Sequence, residues 1–559
     1  MITPSPSGSA ASSPARRWVS ILLGLLLLLP AAICCGTTLL APTLQTLVMS
    51  QQKYNGISPA QPVGGSNFSA LVQAPITLKA IGFTVDIALV RLLAVVIVPM
   101  LLALAASSLG RWVGGGLRLL FTLPLALFAP TGVAVAWLLA RTPGSNPLTS
   151  PGGAQSTLLW IDGAQALGLA CGVGLITYLA ALRGHASGNS GGWRAVRGPL
   201  LLVWIVSALA ALASALQTFD LPFLLTRGGP AAATTTLMLL QYQFGFTQFQ
   251  FGQAAALATG ILAPLALFGL VAGLLLVISG ARFEHAPATG AVVPWVPAVL
   301  AVALVVVLGL AAFGVWAGGQ LPWLKAAALA FRGDTRPAIN SMLSNSLVGP
   351  AIVLSVQLPL AYLAALGISA LRPLGRWSEW LLAPFSPWLF VTLGPLSVAE
   401  FASAQKVGSL NTGAALASPL LLSVPMLFGL ALFFKGRAAP WRATRAAGRS
   451  ALGAFLVEVI VPSLPFAVLL AVIGMLVSGQ ELLWPALAAT RPALATGNVV
   501  LVQQINRLAG ANPALARALW SVVLPGFVFG LVALGLLQVL YVGRLALRTG
   551  PDGEQAAKP

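Results

Sequence analysis

The sequence predicts an all-α integral membrane protein with about 12 transmembrane helices, arranged as two parallel six-helix repeats. Of its 559 residues, 58% are hydrophobic and 7% are charged, and the mean hydropathy is +0.92. A water-exposed surface of ordinary polarity cannot be built from so few charges. Apolar runs of roughly 20 residues, long enough to cross a bilayer core about 30 Å thick, recur along the whole chain.

Twelve such runs are predicted to be membrane spans. They are 18 to 40, 82 to 107, 118 to 140, 158 to 182, 199 to 219, 252 to 279, 292 to 317, 344 to 371, 378 to 400, 415 to 434, 451 to 476 and 515 to 543. The first run is longer than the roughly 7 to 15 apolar residues of a secretory signal, so we expect an uncleaved anchor. Small residues at 31–34 leave a cleaved signal as the alternative.

The formal charge of +19 is explained by orientation in the membrane. With the N-terminus inside, 18 of the 30 Lys and Arg residues fall on or beside cytoplasmic segments. This is the positive-inside pattern, and it predicts that both termini are cytoplasmic. The remaining twelve, Arg91 among them, are assigned to external loops. Charges this sparse form no dense basic face, so we expect no nucleic-acid partner.

An internal repeat divides the chain. Leu-Gly-Arg-Trp at 109–112 follows the second span, and the same four residues at 374–377 follow the eighth. Six spans separate the two copies, so both halves have the same orientation. We predict an N-terminal cytoplasmic tail at 1–17, a first half at 18–282, a cytoplasmic linker at 283–291, a second half at 292–548 and a cytoplasmic tail at 549–559.

No enzymatic site is predicted. His185 and His285 are far apart in sequence and have no neighbouring ligand pattern, and the three cysteines lie in apolar runs. These residues predict neither a metal site nor a catalytic nucleophile. A Gly-x-x-x-x-Gly-Lys-Ser/Thr run is missing from the sequence, so any ATPase that drives transport is expected to be another polypeptide.

Charged residues in apolar runs need partners, because a charge at mid-bilayer costs a few kcal/mol or more. Asp86 and Asp220 are expected near helix ends, and Glu400 at the end of the ninth span. Glu458, in the eleventh span, is expected to neutralise an Arg of the preceding segment.

The most informative stretch follows the fifth span. Phe219-Asp220 is followed by Pro222, then by Thr226-Arg227-Gly228-Gly229-Pro230, and Gly252 lies near the start of the next span. Pro and Gly at this spacing predict that the helix ends and the chain turns tightly at the membrane face. Ser214, Gln217 and Thr218 lie three to four residues apart and are predicted to share a helix face. They are candidates for contact with a polar solute, or for contacts between helices.

This stretch resembles permease subunits of bacterial carbohydrate-type ABC importers, the family of the maltose and glycerol-phosphate permeases. That family has Phe-Asp, Leu-Thr-x-Gly-Gly-Pro, Tyr and Phe-Gly-x-Ala-Ala-Ala in this order. Gly64-Gly65-Ser66-Asn67-Phe68 resembles its entry to the first core helix, and Asn345-Ser346-Leu347 and Glu481 to Pro485 resemble the partner permease. The resemblance implies a type I importer permease fold with two permeases fused in one chain. It also implies that the fifth span lines the translocation path.

The family's ATPase-docking segment has Glu-Ala-Ala, then Gly, then Leu-Pro, and this sequence departs from it. The first half has a Gly/Ser-rich stretch at 184–192 in its place, and the second half has Arg where Glu is expected. The docking candidates are Arg194, Arg197, Pro199, Arg445, Ala446, Ala447, Gly448, Arg449 and Pro462. Either a diverged interface docks a diverged ATPase, or coupling is lost; the basic segment can also be only a solvated loop.

The resemblance implies a multi-pass protein of the cell (inner) membrane that imports a carbohydrate or related polar solute. The implied partners are two cytoplasmic ABC ATPase subunits, an external solute-binding protein and the lipid bilayer, and no cofactor is implied. Two alternatives stay open: a secondary carrier of the major-facilitator kind and a non-transporting membrane scaffold. Against the carrier, the loop at 107–117 contains no Asp and the central linker is short.

Overall fold

The computed structural model describes residues 14–56, 58–140, 146–183, 192–285, 296–332, 341–505 and 513–550. Most of the predicted N-terminal tail and linker lies outside these ranges, as does the C-terminal tail beyond residue 550. In the described part the chain is mainly helical, with two short antiparallel strand pairs. The predicted all-α membrane fold is therefore confirmed.

The first half contains thirteen described α-helices and three short strands. The helices are α1 Pro14–Cys35, α2 Ala41–Ser50, α3 Ser66–Gln73, α4 Pro75–Val96, α5 Val98–Leu109, α6 Arg111–Leu120, α7 Thr122–Ala126, α8 Pro130–Leu139, α9 Pro151–Arg183, α10 Gly192–Leu216, α11 Asp220–Leu225, α12 Leu237–Tyr242 and α13 Phe251–Ile278. The strands are β1 Gln52–Lys53, β2 Gln61–Pro62 and β3 Arg282–His285.

The second half contains ten described α-helices and one strand. They are α14 Ala298–Arg332, α15 Ser341–Ala365, α16 Leu393–Val407, α17 Val424–Ala446, α18 Ala451–Phe455, α19 Val461–Ser478, α20 Leu483–Ala488, α21 Gly497–Ile505, α22 Pro513–Pro525, α23 Gly535–Leu540 and β4 Leu545–Arg548. Single π-helical segments continue several helices, at Gly36–Leu40, Gln243–Thr247, Leu366–Ala370, Leu456–Ile460 and Gly526–Leu534. A 3₁₀ segment, Gly375–Trp388, precedes α16.

Nine continuous helices in the described ranges are long and apolar enough to cross a membrane. Two bent pairs bring the number to eleven: Arg111–Ala126 with Pro130–Leu139, and Gly375–Trp388 with Leu393–Val407. The bends are 71° and 78°, and they fall on the third and ninth predicted spans. The remaining predicted span corresponds to α17, whose cytoplasmic end is rich in Lys and Arg.

Several predicted span boundaries are wrong. The second span is helical from Pro75 rather than 82, because that Pro occupies the first helical turn, where it is well tolerated. The tenth is α-helical only from Val424, because residues 415–423 form a short 3₁₀ turn and extended chain. Asp86 consequently lies inside α4 and not near a helix end, on an exposed face.

Each bent span packs against the last span of the other half. Glycines spaced four residues apart allow the close approach, since a Cβ at these positions would collide with the neighbouring segment. The contacting residues are Gly269 and Gly273 of α13 with Ser386, and Gly526 and Gly530 with Ala126 of α7. The packing between the halves is thus reciprocal.

The two halves also meet through a strand pair that follows the C-terminal ends of α13 and α23. β3 and β4 are antiparallel, with Glu284 opposite Ala546. Glu284 forms ion pairs with Arg282 of its own strand, at 2.7 Å, and with Arg548 of the other, at 3.1 Å. Across the pair, β3 packs on α17 of the second half and β4 on α9 of the first. Arg183 at the end of α9 donates hydrogen bonds to carbonyls just before and within β4.

Candidate functional site

The predicted polar residues of the fifth span lie where α10 ends. Ser214 is in the last turn of the helix, whereas Gln217 and Thr218 follow its last residue. The backbone N–H groups of Gln217 and Thr218 donate to the carbonyls three residues earlier, so the last turn is tightened. The prediction that all three share an α-helical face is therefore only partly right.

Gln217 links the two halves. Its Nε2 donates to the carbonyls of Ala213, at 3.0 Å, and of Phe390, at 2.9 Å. Its Oε1 accepts from the backbone N–H of Thr392, at 2.8 Å, and from the hydroxyl of Thr392, at 2.7 Å. The amide thus fastens the end of α10 to the bend between the 3₁₀ segment and α16.

An ion pair beside this contact was missed from the sequence. Arg91 of α4 donates from Nε and Nη2 to both carboxylate oxygens of Asp162 in α9, at 2.9 and 2.6 Å. Its Nη1 donates to Ser214, at 3.1 Å. Assigning Arg91 to an external loop was wrong: it lies inside a membrane helix, and the paired carboxylate offsets the cost of its charge.

The chain does turn after α10, as Pro and Gly at this spacing predict. α11 begins at Asp220, and Phe219 just before it stacks on Phe223 with ring centroids 4.8 Å apart. Gly228 has a φ of +88°, a conformation that favours glycine, and the peptide bond between Gly229 and Pro230 is cis.

Threonine side chains fix the rest of this loop. The hydroxyls of Thr226 and Thr234 are 2.6 Å apart. Thr236 caps the N-terminus of α12 and donates to the carbonyl of Thr218, at 2.7 Å. Gly252 lies so close to the carbonyl of Gln52 that a Cβ would collide with it. The loop after α11 is therefore held by contacts to the end of α10 and to the segment that contains Gln52.

A similar arrangement follows the eleventh span. Glu481 precedes α20 as Asp220 begins α11, and Thr496 caps α21 as Thr236 caps α12. The two arrangements pack together, because Phe219 and Leu483 share one apolar cluster. Burial and the nearby Asp220 carboxylate raise the pKa of Glu481 to about 7. The halves thus contact each other through equivalent segments.

The second-half docking candidates lie at and beyond the C-terminal end of α17. The helix continues to Ala446, and Ala447, Gly448 and Arg449 form an exposed turn before Ser450 caps α18. Gly448 has a φ of +89°, which ends the helix. Pro462 lies in the first turn of α19.

Arg437 and Thr444, near the end of α17, both donate hydrogen bonds to Glu458. Arg437 donates to a carboxylate oxygen of Glu458, at 2.7 Å, and Thr444 donates to the other, at 2.9 Å. The predicted pairing of Glu458 with an Arg of the preceding segment is therefore confirmed. Arg445 stacks over Trp441, 5.8 Å from the ring centroid.

In the first half, much of the corresponding segment lies outside the described residues. Residues 184–191, which contain most of the Gly/Ser-rich stretch, are not among them. Arg194, Arg197 and Pro199 belong to the N-terminal end of α10, and Arg197 is exposed. The structure brings none of these residues to the predicted solute contacts, which lie at the opposite end of the same helix.

Comparison with known proteins assigns the chain to a family. No protein-family model matches it. Its sequence is 30% identical over 271 residues to the sulfoquinovosyl glycerol transport system permease protein SmoG of Agrobacterium fabrum (strain C58). The match covers 43% of this chain and 87% of that relative. Together with the membrane-length helices, this similarity shows that the chain belongs to the family of ABC sugar-transport permeases.

Proposed function

We propose that this chain is a fused permease of an ABC importer, in which residues 18–282 and 292–548 each correspond to one permease. The observation that carries the proposal is that the halves meet through equivalent segments at both membrane faces. α11 packs with α20 outside, and β3 pairs with β4 inside. Two halves that meet through equivalent segments at both ends can open alternately on either side as partner ATPases close and separate.

Further correspondences support the duplication. The repeated Gly110 and Gly375 both have positive φ, of 96° and 60°. In each copy the following Arg stacks over the following Trp, at 5.1 and 5.3 Å. A bent span follows each copy, with nearly the same angle. Independent origin of these features in one chain is a weaker explanation than duplication.

The proposed solute is a carbohydrate or related polar molecule delivered by an external binding protein. A relative that transports sulfoquinovosyl glycerol supports a glycoside-like class. We place the solute path beside Ser214, Gln217 and Thr218, because hydroxyl and amide groups there lie where the halves meet. Such groups provide the hydrogen bonds that a polyhydroxylated ligand needs.

We propose that two ATPase subunits dock at the cytoplasmic segment that follows α9, which lies outside the described residues, and at the turn after α17. In the second half, Arg445 to Arg449 present positive charge where the family has a Glu, so the complementary ATPase groove is expected to be acidic. Both termini are proposed to be cytoplasmic in a cell membrane, in agreement with the positive-inside pattern.

Affinity purification of the full chain from native membranes in a mild detergent tests this proposal. An ATPase subunit should co-purify, and R445E/R449E should lower its recovery several-fold. The matched control R111E/R376E changes two exposed arginines elsewhere and should leave recovery unchanged. A wild-type chain with no ATPase, together with solute uptake that is insensitive to ATP depletion, would refute the importer. Unchanged recovery with R445E/R449E would refute the docking site only.

A further inference from the structure

A small cavity lies beside the C-terminal end of α19, in the second half. Its volume is about 20 Å³, and its lining includes Ser346 and Val353 of α15, Ser478 and Gly479 at the end of α19, and Glu481. A volume of roughly 10 to 15 Å³ is enough for one water-sized particle. The cavity is therefore too small for a sugar and large enough for a single ion or water molecule.

Glu481 contributes a carboxylate to this cavity. Within the described part of the chain, that carboxylate has no hydrogen-bond donor and no ion-pair partner. The charged group that interacts with it is Asp220 of the first half, and this charge has the same sign. Among the described residues that line the cavity, none is basic. A carboxylate beside apolar helices needs a cation, so Glu481 is left without its counter-charge.

Two equivalent hydrogen bonds align the first half with this part of the second. Thr84 of α4 accepts from the backbone N–H of Leu237, the first residue of α12, at 3.1 Å. Ser346 of α15 accepts from the backbone N–H of Gly497, the first residue of α21, at 2.8 Å. Thr84 and Ser346 are thus equivalent positions in the two halves.

The residues two helical turns further on differ in charge. Seven residues beyond these positions lie Arg91 in the first half and Val353 in the second. Arg91 is near enough to attract the Asp220 carboxylate. Glu481, the equivalent of Asp220, faces the cavity that Val353 lines. The second half thus has a cavity, and no guanidinium, where the first half supplies a positive charge.

Other groups at the cavity are oxygen acceptors that lack a donor. Asn345 lines it and donates from Nδ2 to the carbonyls of Ala493 and Ala495, at 2.9 and 3.2 Å, so its Oδ1 remains as an acceptor. Asn498 is 2% exposed and donates from Nδ2 to the carbonyl of Gly479, at 3.3 Å. Its Oδ1 is buried without a hydrogen-bond donor. Buried acceptors of this kind indicate an additional ligand that is a cation or a donor.

The end of α19 adds negative potential to the same place. This helix, Val461–Ser478, is 18 residues long, and the C-terminal end of a helix carries partial negative charge. In membrane transporters, helix C-terminal ends and unwound backbone carbonyls coordinate Na⁺. Ca²⁺ takes about 6 to 8 oxygen ligands, commonly with several carboxylates, which this small cavity does not provide. The lining therefore favours a monovalent ion.

We propose that this cavity binds a monovalent cation, Na⁺, with Glu481 as its charged ligand. The ion has the role in the second half that the Arg91 guanidinium has beside Asp220 in the first. It neutralises Glu481 next to α20, which packs with α11, so it stabilises the contact between the halves. Binding requires neither an ATPase nor a solute, so this site and the proposed import function can fail separately.

The test uses the full chain in a neutral detergent at pH 8. Retention of radiolabelled Na⁺ is measured by equilibrium dialysis, and the melting temperature is measured in NaCl, KCl and choline chloride at equal ionic strength. E481Q removes the charge with little change in size, and E481D keeps the charge. The matched control E284Q removes a carboxylate from the β3–β4 pair. In choline chloride, E481Q and the wild type differ only by the cost of the unpaired carboxylate.

For the wild type, E481D and E284Q, we expect about one Na⁺ per chain and a melting temperature on the order of 2 °C higher in NaCl than in choline chloride. E481Q should lose both effects. An equal response to KCl supports the site and shows that it accepts either monovalent ion. No retained Na⁺, which would leave only water in the cavity, or a response of E481Q equal to that of the wild type would overturn the proposal.

Discussion

At the scale of single residues, Gln217 is the most informative side chain. Its amide makes hydrogen bonds to Phe390 and Thr392 of the other half. Q217A removes these bonds, so we expect slower solute uptake and a free energy of unfolding lower by about 0.6–2 kcal/mol, the range found for hydrogen bonds between membrane helices. Uptake assays and thermal unfolding measure the two effects.

Q243A is the matched control for this change. Gln243 also lies near the external face, but its Nε2 donates to Arg227 in the same half. It should affect neither uptake nor the contact between halves. If Q217A and Q243A behave alike, the link between the halves is not important for transport.

Glu481 predicts a specific dependence of stability on pH. Its folded-state pKa of about 7 exceeds the ordinary value of 4.5, so the folded protein binds the proton more tightly than the unfolded chain. Stability from this group is present below pH 4.5 and is lost as the pH rises towards 7. E481Q should therefore raise the melting temperature at pH 8 and change it little at pH 4.5.

A second substitution, E284Q, is not expected to raise the melting temperature at pH 8. Glu284 forms ion pairs with Arg282 and Arg548, so E284Q should lower the melting temperature at pH 8 or leave it unchanged. Equal melting temperatures for E481Q and the wild type at pH 8 would contradict the buried carboxyl at the external contact.

The sequence predicts some of these residues and not others. Pairing of Glu458 with a nearby Arg was predictable, because a carboxylate in an apolar run requires a cation and the preceding segment supplies several. Arg91 and Asp162 are 71 residues apart and in different helices. Since no local pattern connects them, their contact depends on how α4 and α9 pack.

At the scale of elements, the β3–β4 pair allows a test of whether the two halves separate during transport. If the halves separate there during transport, a disulfide between E284C and A546C should stop uptake, and reduction should restore it. The three native cysteines are replaced by alanine in this experiment. The matched control is Q52C/P62C, because Gln52 and Pro62 are paired in β1 and β2 within one half.

The control disulfide should leave uptake unchanged, since no separation of halves crosses it. Uptake that continues with the E284C/A546C disulfide fully formed would show that β3 and β4 stay together throughout the cycle. The alternation would then have to occur elsewhere.

Hydropathy predicted where most helices lie, but not where they bend. The third and ninth spans are continuous apolar runs, yet each changes direction by more than 70°. Proline is the local signal that was available: Pro130 begins α8, and Pro384 and Pro387 lie in the 3₁₀ segment. Each bent span also makes close glycine contacts with the other half, and no local pattern reveals these contacts.

At the scale of the whole molecule, the offset between the two copies of Leu-Gly-Arg-Trp also relates larger structural features of the two halves. Four matched residues at 109–112 and 374–377 are followed by similar bends. The reciprocal packing of α13 and α7 with opposite halves could not be predicted, because the sequence gives the order of spans and not their partners. The excess of Lys and Arg residues agrees with the positive-inside pattern over most of the chain. Arg91 is an exception, because it lies inside α4 and is paired with Asp162.

The central claim is that this single chain forms the translocation path of an ATP-driven importer. Reconstitution in liposomes with the co-purified ATPase and the external binding protein, followed by measurement of radiolabelled glycoside uptake, tests it most directly. We expect accumulation only when ATP is available to the ATPase and the binding protein is on the opposite side of the membrane. Uptake driven by a proton gradient without ATPase, or no uptake with all components present, would contradict it.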